Sequence, residues 1–553
     1  MIPILLGPMI RFRTLAIAGG FLMSVESAVA AESLSQYGIT WRFSEDKHVG
    51  RFCNGDWWVV GPVTISDIAP KTTGGDFGNG SMINPIPGQS QGFYSETKYP
   101  AYSAAKDMSL RIPFTIPAGS SLVSTIRNPD TWASNSSPGA LVEKTWFKET
   151  AVLTVLSSPP PEGSFRPPYA GSDKTIRANW NRSALQYGKL RRLAAPVATH
   201  VPDRGWLEEA TRRPLLEMHP NYLNSNWKAS WNPDKPGGYP RRTYGREISH
   251  ISGAAGLLLQ TDLPDATKEK LLIHMCQWGI DIEGLLRAGM QWQPNGGHNH
   301  GRLLPLYLAA KVLEDPDMLS LCRPSKAVFQ EFAQHWYVTQ SEIDTPRANP
   351  ATMEPYTQDM LGMPEWSSGG PGERNQASAQ FFGGTGYRFI NGGPNCAVVA
   401  TILLMGGRSE VSCEPFIDYI ATRHYPMTKS GAAHTIPNYG DVPSLFTRDI
   451  WDAYLPGSAG PVEIEFAIGN RIECPDGADV RADSSLASSL LGRQPKAATG
   501  LIVGGPVKAD GIVWWDVNFD SGADGWTDGA GLLLRAAAAT PPSKPASPTV
   551  TSE

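Results

Sequence analysis

The sequence predicts a multidomain α plus β protein. It has a β-sandwich-like domain at the N-terminus, a helical α/α barrel or toroid in the middle and a small β-barrel domain near the C-terminus. Three observations carry this. The apolar pattern is short and alternating up to residue 157, helical over 205–456, and alternating again over 470–536. The 553 residues exceed one ordinary domain, and 41% hydrophobic residues suffice for several cores. With 56 glycines and 47 prolines but only 18% charged residues, the chain is globular and rich in loops. That excludes a disordered acidic chain, a coiled coil and a long helical rod.

A net charge of −5 without a long basic run argues against nucleic acid as a partner. No apolar stretch after residue 30 is long enough to span a bilayer, so no membrane insertion is expected.

Residues 1–30 read as a signal peptide. Arg11 and Arg13 precede the apolar run Leu15–Met23, and Ala28-Val29-Ala30 forms a small-residue cleavage site before Ala31. Met9 offers a more compact start. The pattern predicts a secreted or periplasmic protein whose charge becomes −6 when Arg11, Arg13 and Glu26 are removed. The six cysteines are far apart, their pairing is open, and none has the spacing of a structural zinc site. Cys276 and Cys396 lie in apolar helical runs and are expected as buried free thiols.

Over residues 33–157, runs such as Asp56-Trp-Trp-Val-Val, Leu110-Arg-Ile-Pro-Phe-Thr-Ile and Ala151-Val-Leu-Thr-Val-Leu predict strands. Prolines from Ser157 onward predict a linker over 158–204. Ile248, Ile251, Ala255, Leu258 and Leu259 form one helical stripe; Leu271, Leu272, Met275, Ile282, Leu285 and Leu286 form another. Further helices fit 301–314, 324–338, 393–406 and 412–423. An ordinary bundle fits the same periodicity, and the long Gly/Pro/Trp-rich loops favour the barrel. The region 339–392 has the length of a functional loop. Gly511–Trp526 alternates, turns at Asp520-Ser-Gly and returns as a hairpin, and 537–553 is Ala/Pro/Ser/Thr-rich and reads as a disordered tail.

The densest chemical constellation is Pro294-Asn-Gly-Gly-His-Asn-His-Gly-Arg302. If a helix starts near His298, then His298 and Arg302 share one face at its N-terminus and suit a carboxylate. His298 and His300 also invite a metal reading, but no neighbouring ligand completes such a site, and both could simply cap a helix. The second constellation is Glu354-Pro-Tyr-Thr-Gln-Asp-Met-Leu-Gly-Met-Pro-Glu-Trp366, whose Tyr356 could exchange protons with a substrate. Glu354, Asp359 and Glu365 could instead supply a glycosidase carboxylate pair. The third is Tyr239-Pro-Arg-Arg-Thr-Tyr-Gly-Arg246, preceded by Asn221–Trp227. There Arg241, Arg242, Arg246 and Tyr244 suit an anionic sugar polymer, or form the solvated start of a helix. Tyr387-Arg388 and Arg423-His424 are further candidates.

Asn295-Gly-Gly-His, Gly301-Arg302, Tyr356, Leu361-Gly-Met-Pro-Glu-Trp366, Tyr387-Arg388 and Met405-Gly406 together resemble the α/α-toroid polysaccharide lyases. They are most similar to the alginate and glucuronan lyases of polysaccharide lyase family 38. The resemblance covers about 205–455. It implies β-elimination on an anionic, uronate-containing glycan, with Tyr356, His298 and Arg302 catalytic. Arg246, Tyr244, Arg241, Asn295, His300, Trp366 and Arg388 are the candidate substrate-binding residues of these clusters. No metal or organic cofactor is required. Here Pro-Glu-Trp is followed by Ser367-Ser-Gly-Gly, where the family pattern has a Gly and a later His, which leaves the polymer open. The paired Trp514-Trp515 strand, acidic hairpin and Gly525-Trp526 resemble a bacterial SH3-like domain, implying a cell-wall peptide partner or a packing module.

In elimination the carboxylate charge must be offset before the neighbouring C5 proton can leave, and the departing 4-oxygen needs an acid. Arg302, Arg246 or protonated His298 could supply the charge, and Tyr356 the proton transfer. A glycoside hydrolase and a non-catalytic glycan-binding protein are the competing classes.

Overall fold

The computed structural model describes residues 29–72, 79–93, 102–127, 147–217, 245–344, 356–367, 386–429, 443–455, 468–474, 477–509, 512–529 and 532–534. They fall into two compact units, one up to Pro456 and one from Gly457.

The first unit opens with β1 (Val29–Gln36), β2 (Ile39–Arg51), β3 (Trp57–Val60), β4 (Val63–Ala69), β5 (Ser81–Ile83), β6 (Phe114–Ile116), β7 (Ser120–Arg127) and β8 (Phe147–Leu156). The sequence pattern suggested two facing sheets. The hydrogen bonds instead run through one eight-stranded sheet, in the order β5-β7-β8-β3-β2-β4-β6 with β1 also on β2. The parallel pairing of β3 with β8 joins what alternation alone reads as two halves. β1 starts at Val29, opposite Val49, so cleavage after Ala30 would fall at its second residue.

β8 is apolar on both faces because both are covered. Ala151, Leu153 and Val155 pack with Trp41, Phe43 and Ile65, while Val152 joins Val123 and the core of the helical region. The sheet and the helices therefore share one unit.

The proline-rich segment expected as a linker is packed into that unit. Proline removes backbone donors and so opposes a ladder, and side chains anchor the segment instead. The Arg166 guanidinium, fully buried, pairs with Asp56 at 2.6 Å and Asp281 at 2.6 Å. The Tyr169 hydroxyl donates to the Leu215 carbonyl at 2.7 Å, and the Trp180 indole donates to Asp315 at 2.8 Å.

Helices α1 (Arg204–Thr211), α2 (Gly245–Leu259), α3 (Asp265–Arg287) and α4 (Leu303–Val312) follow. α2 is buried along its whole length and packs against the helix Gly386–Leu404, and α3 packs on α4. Three expected helices change. The span 324–338 holds only the turn Gln330–Ala333 and then the strand His335–Tyr337, because His-Trp-Tyr finds an antiparallel partner in Pro364–Trp366. The span 393–406 belongs to a helix that starts at Gly386 and tolerates Pro394 inside it. Within 412–423, the short helix Glu414–Asp418 runs into a π turn, Tyr419–His424. No helix among the described residues is long and apolar enough to cross a membrane.

The second unit is a seven-stranded antiparallel sheet. Its strand order is Leu490–Gln494, Ala478–Arg481, Gly525–Asp528, Ile512–Phe519, Ala498–Ala509, Arg471–Cys474 and Leu533–Leu534. The expected hairpin is present, with Trp514 opposite Asp528 and Asp516 opposite Trp526. Alternation sends Trp515, Val517 and Phe519 into a core with Ile472, Val480 and Ile502.

Candidate active site

The loop 294–302 is held by amides from the turn Gln330–Ala333 and the residues after it. Gln330 Oε1 accepts from the backbone N–H of Asn295 at 3.0 Å and of Asn299 at 3.1 Å, and its Nε2 donates to the Gly296 carbonyl at 2.8 Å. Gln334, one turn on, donates to the same carbonyl at 2.9 Å. Its Oε1 accepts from His300 Nε2 at 3.0 Å and from Trp366 Nε1 at 3.2 Å. Asn391 reaches in from Gly386–Leu404, donating to the Gly296 carbonyl at 2.7 Å and Gln334 Oε1 at 3.2 Å. Gly301 has φ +92°, and a Cβ there would sit 2.4 Å from the Ser249 nitrogen, so the loop presses directly on α2.

Of the sequence candidates, this geometry brings Asn295, His300, Trp366, Arg388 and Tyr356 into one neighbourhood, with His298 on the same loop as His300. Arg388, 4% exposed, donates to Glu365 Oε1 at 2.6 Å and to the Tyr419 hydroxyl at 3.1 Å, with its guanidinium 5.6 Å from the Trp366 ring centre. Arg423 lies 3.2 Å from the other oxygen of Glu365. Two guanidiniums therefore meet on one carboxylate. Tyr356, 3% exposed, stands in the field of that cluster, and its hydroxyl has no hydrogen-bond partner among the described residues. Burial, then the charge of Glu365, raises its pKa far above that of a free phenol.

The remaining candidates are placed elsewhere. Arg302 is not beside His298 on a helix face, because α4 starts only at Leu303. Its guanidinium is fully buried, pairs with Glu217 at 2.7 Å and donates to the His298 carbonyl at 3.2 Å and to the His300 carbonyl. Arg302 therefore braces the loop, and its charge is balanced before any substrate arrives. Arg246 is likewise buried and its Nε donates to Glu247 at 2.9 Å, while its backbone N–H holds the Gly297 carbonyl at 3.0 Å. Tyr244, Arg241 and Glu354 lie outside the described residues, as does the side chain of Asp359. Glu365 is fully buried and committed to two arginines, so it is not the exposed acid a hydrolase would use.

The histidines are held neutral. Burial, then the charge of Arg302, takes His298 down to about 4. Burial takes His300 down to about 3 against the opposing hydrogen bond from Gln334. Protonated His298 is thus a poor source of positive charge.

Sequence reasoning missed the supporting polar residues. Gln330 and Gln334, Glu331 and His335, and Asn391 and Asn395 are each spaced i, i+4, and all six are buried. His335 donates from Nδ1 to the Glu331 carbonyl at 2.6 Å, and its Nε2 has no partner among the described residues. His424 packs against the helix Gly386–Leu404 where a Cβ on Gly392 would come within 2.0 Å of its ring. The readable signal was amide pairs one turn apart in apolar stretches. No described group of three or more His, Cys, Asp or Glu side chains is placed to hold a metal.

No protein-family model, no curated protein and no solved structure matches this chain.

Proposed function

We propose that this chain is an exported polysaccharide lyase that cleaves a uronate-containing, alginate- or glucuronan-like glycan by β-elimination. The observation that carries the reading is the buried hydroxyl of Tyr356, without a hydrogen-bond partner among the described residues, beside Glu365 and its two arginines. Burying a hydroxyl without a partner is costly, and such costs concentrate where a substrate atom completes the set.

The residue states define the roles. Tyr356 rests protonated and is the acid for the departing 4-oxygen. His298, neutral and only partly buried, is the base for the C5 proton. The C5–H electron pair becomes the C4–C5 double bond as the C4–O4 bond breaks. The O4 oxygen takes the Tyr356 proton, and the imidazolium proton returns to the phenolate through water. Arg388 and Arg423 offset the charge of the substrate carboxylate. On this reading the helices form an α/α toroid. The C-terminal sheet, with its paired tryptophans and central hairpin, is an SH3-like module for a cell-wall peptide or for packing.

The test is ultraviolet absorbance of unsaturated uronate on a panel of alginate, glucuronan, pectate and glycosaminoglycans. A rise with one polymer is expected. New reducing ends without absorbance would overturn elimination in favour of hydrolysis.

A further inference from the structure

A cleft of about 360 Å³ lies where the β1–β2 turn meets the helices, lined by Gln36, Tyr37, Arg51, Arg212, Lys270 and His274 among others. Three of these are cations, and no carboxylate lines the cleft among the described residues. Arg51 lies over the Trp57 ring at 3.7 Å and donates to the Gly55 carbonyl at 2.6 Å. Arg212 lies over the Tyr37 ring at 4.0 Å, its Nε donates to Glu209 at 2.7 Å, and its Nη2 lies 3.9 Å from Glu149. Lys270, whose side chain is 66% exposed, reaches Glu208 at 3.2 Å.

Two buried polar atoms here have no partner among the described residues: Gln36 Oε1, an acceptor, and Arg212 Nη1, a donor. Gln36 is only 7% exposed, and its amide cannot turn over. Its Nε2 donates to Asp56 Oδ1 at 2.7 Å, and that carboxylate, itself bound to Arg166, can only accept. Oε1 is therefore fixed as an acceptor awaiting a hydroxyl. His274 donates from Nδ1 to the Glu208 carbonyl at 3.0 Å, which leaves Nε2 of the same ring as a second acceptor.

A bare anion satisfies Arg212 Nη1 but would face the Gln36 oxygen with a second acceptor. A neutral sugar supplies hydroxyls but no charge. A sugar acid supplies both.

We infer that this cleft binds a uronate residue, its carboxylate on Arg212 and Lys270 and a ring hydroxyl on Gln36 Oε1, as a holding site for the anionic glycan apart from the Tyr356 centre. The inference rests on the reading of the substrate as a uronate polymer. It is tested by titrating the full chain with sodium glucuronate, with glucose and sodium sulfate as controls. Glucuronate should bind, glucose should not, and sulfate should compete at least about tenfold more weakly. Lys270→Glu, at an exposed position, should weaken glucuronate about tenfold. Arg212→Met should do the same with its unfolding midpoint measured alongside, and Lys270→Glu decides if that variant loses its fold. Both should still release unsaturated product from short oligomers, and Tyr356→Phe should keep the Lys270-dependent binding. Glucuronate binding indifferent to Lys270→Glu and Arg212→Met, or sulfate as tight as glucuronate, overturns the site. Intact Lys270-dependent binding with no elimination on any polymer supports the site and overturns the lyase reading alone.

Discussion

Replacing Tyr356 with Phe should move stability and activity in opposite directions. The side chain is 3% exposed and its hydroxyl has no partner among the described residues, so the folded state carries the desolvation cost of that group. An unmet buried hydroxyl costs about 1–3 kcal/mol, and phenylalanine keeps the ring while removing the cost. Part of that gain is lost to the change in packing, so a net stabilisation of about 1 kcal/mol is expected. Loss of the acid should lower turnover by roughly 10²–10⁴-fold. Urea unfolding followed by tryptophan fluorescence reads the first effect, and ultraviolet absorbance of the unsaturated product reads the second. A purely structural tyrosine, with a hydroxyl satisfied by a neighbour, would lose stability on truncation and keep its turnover. Either of those results in Tyr356→Phe refutes the role argued for it.

Arg302→Met should destabilise by about 3–5 kcal/mol, because it leaves the Glu217 carboxylate buried and unpaired, and Arg302→Met with Glu217→Leu should recover most of it in urea unfolding. Gln334→Leu orphans groups on His300, Trp366 and Asn391 at once, and should cost about 2–4 kcal/mol by the same measurement while lowering turnover through a misplaced loop. Stability should fall as the medium is acidified. His274, His298, His300 and His424 have folded pKa values lowered to about 4, 4, 3 and 3, against about 6.5 unfolded. Below pH 6.5 the unfolded chain takes up protons that the folded chain refuses, so their stabilising contribution is complete above that pH. It declines toward pH 4 by up to about 1.4 kcal/mol per pH unit for each histidine. Unfolding midpoints at pH 7, 6, 5 and 4 check the slope, and a flat profile contradicts the buried neutral assignments. N-terminal sequencing of protein recovered from an exporting host should begin at Ala31.

The helices α2 and α3 and the tryptophan hairpin were legible because each has a long, uniform apolar period. The strand His335–Tyr337 was not, because its three residues are settled by a partner some thirty positions later rather than by local propensity. The candidate centre was half legible. His298, His300, Tyr356, Trp366 and Arg388 stand out as chemistry in loops or at element starts. Whether a given arginine faces a substrate or a carboxylate is another matter, decided by tertiary partners. Arg302 and Arg246 had the right type and spacing, yet Glu217 and Glu247 claim them, and no local pattern announces Glu217 at a distance of 85 residues. The single sheet escaped notice for the same reason, since the parallel β3–β8 pair leaves no periodic mark.

The buried Arg166 has a bearing on when the chain can fold. Its two carboxylates lie 110 residues before it and 115 after it. The face of β8 that carries Val152 shares a core with the helical region. During synthesis, then, Arg166 lacks its second counter-ion until α3 emerges. Long-range contacts of this kind delay closure, because loop entropy must be overcome before they stabilise anything. More than half of the 553 residues must therefore be made before this buried set of ion pairs is complete. Arg166 then ties the sheet end, through Asp56, to the helices, through Asp281.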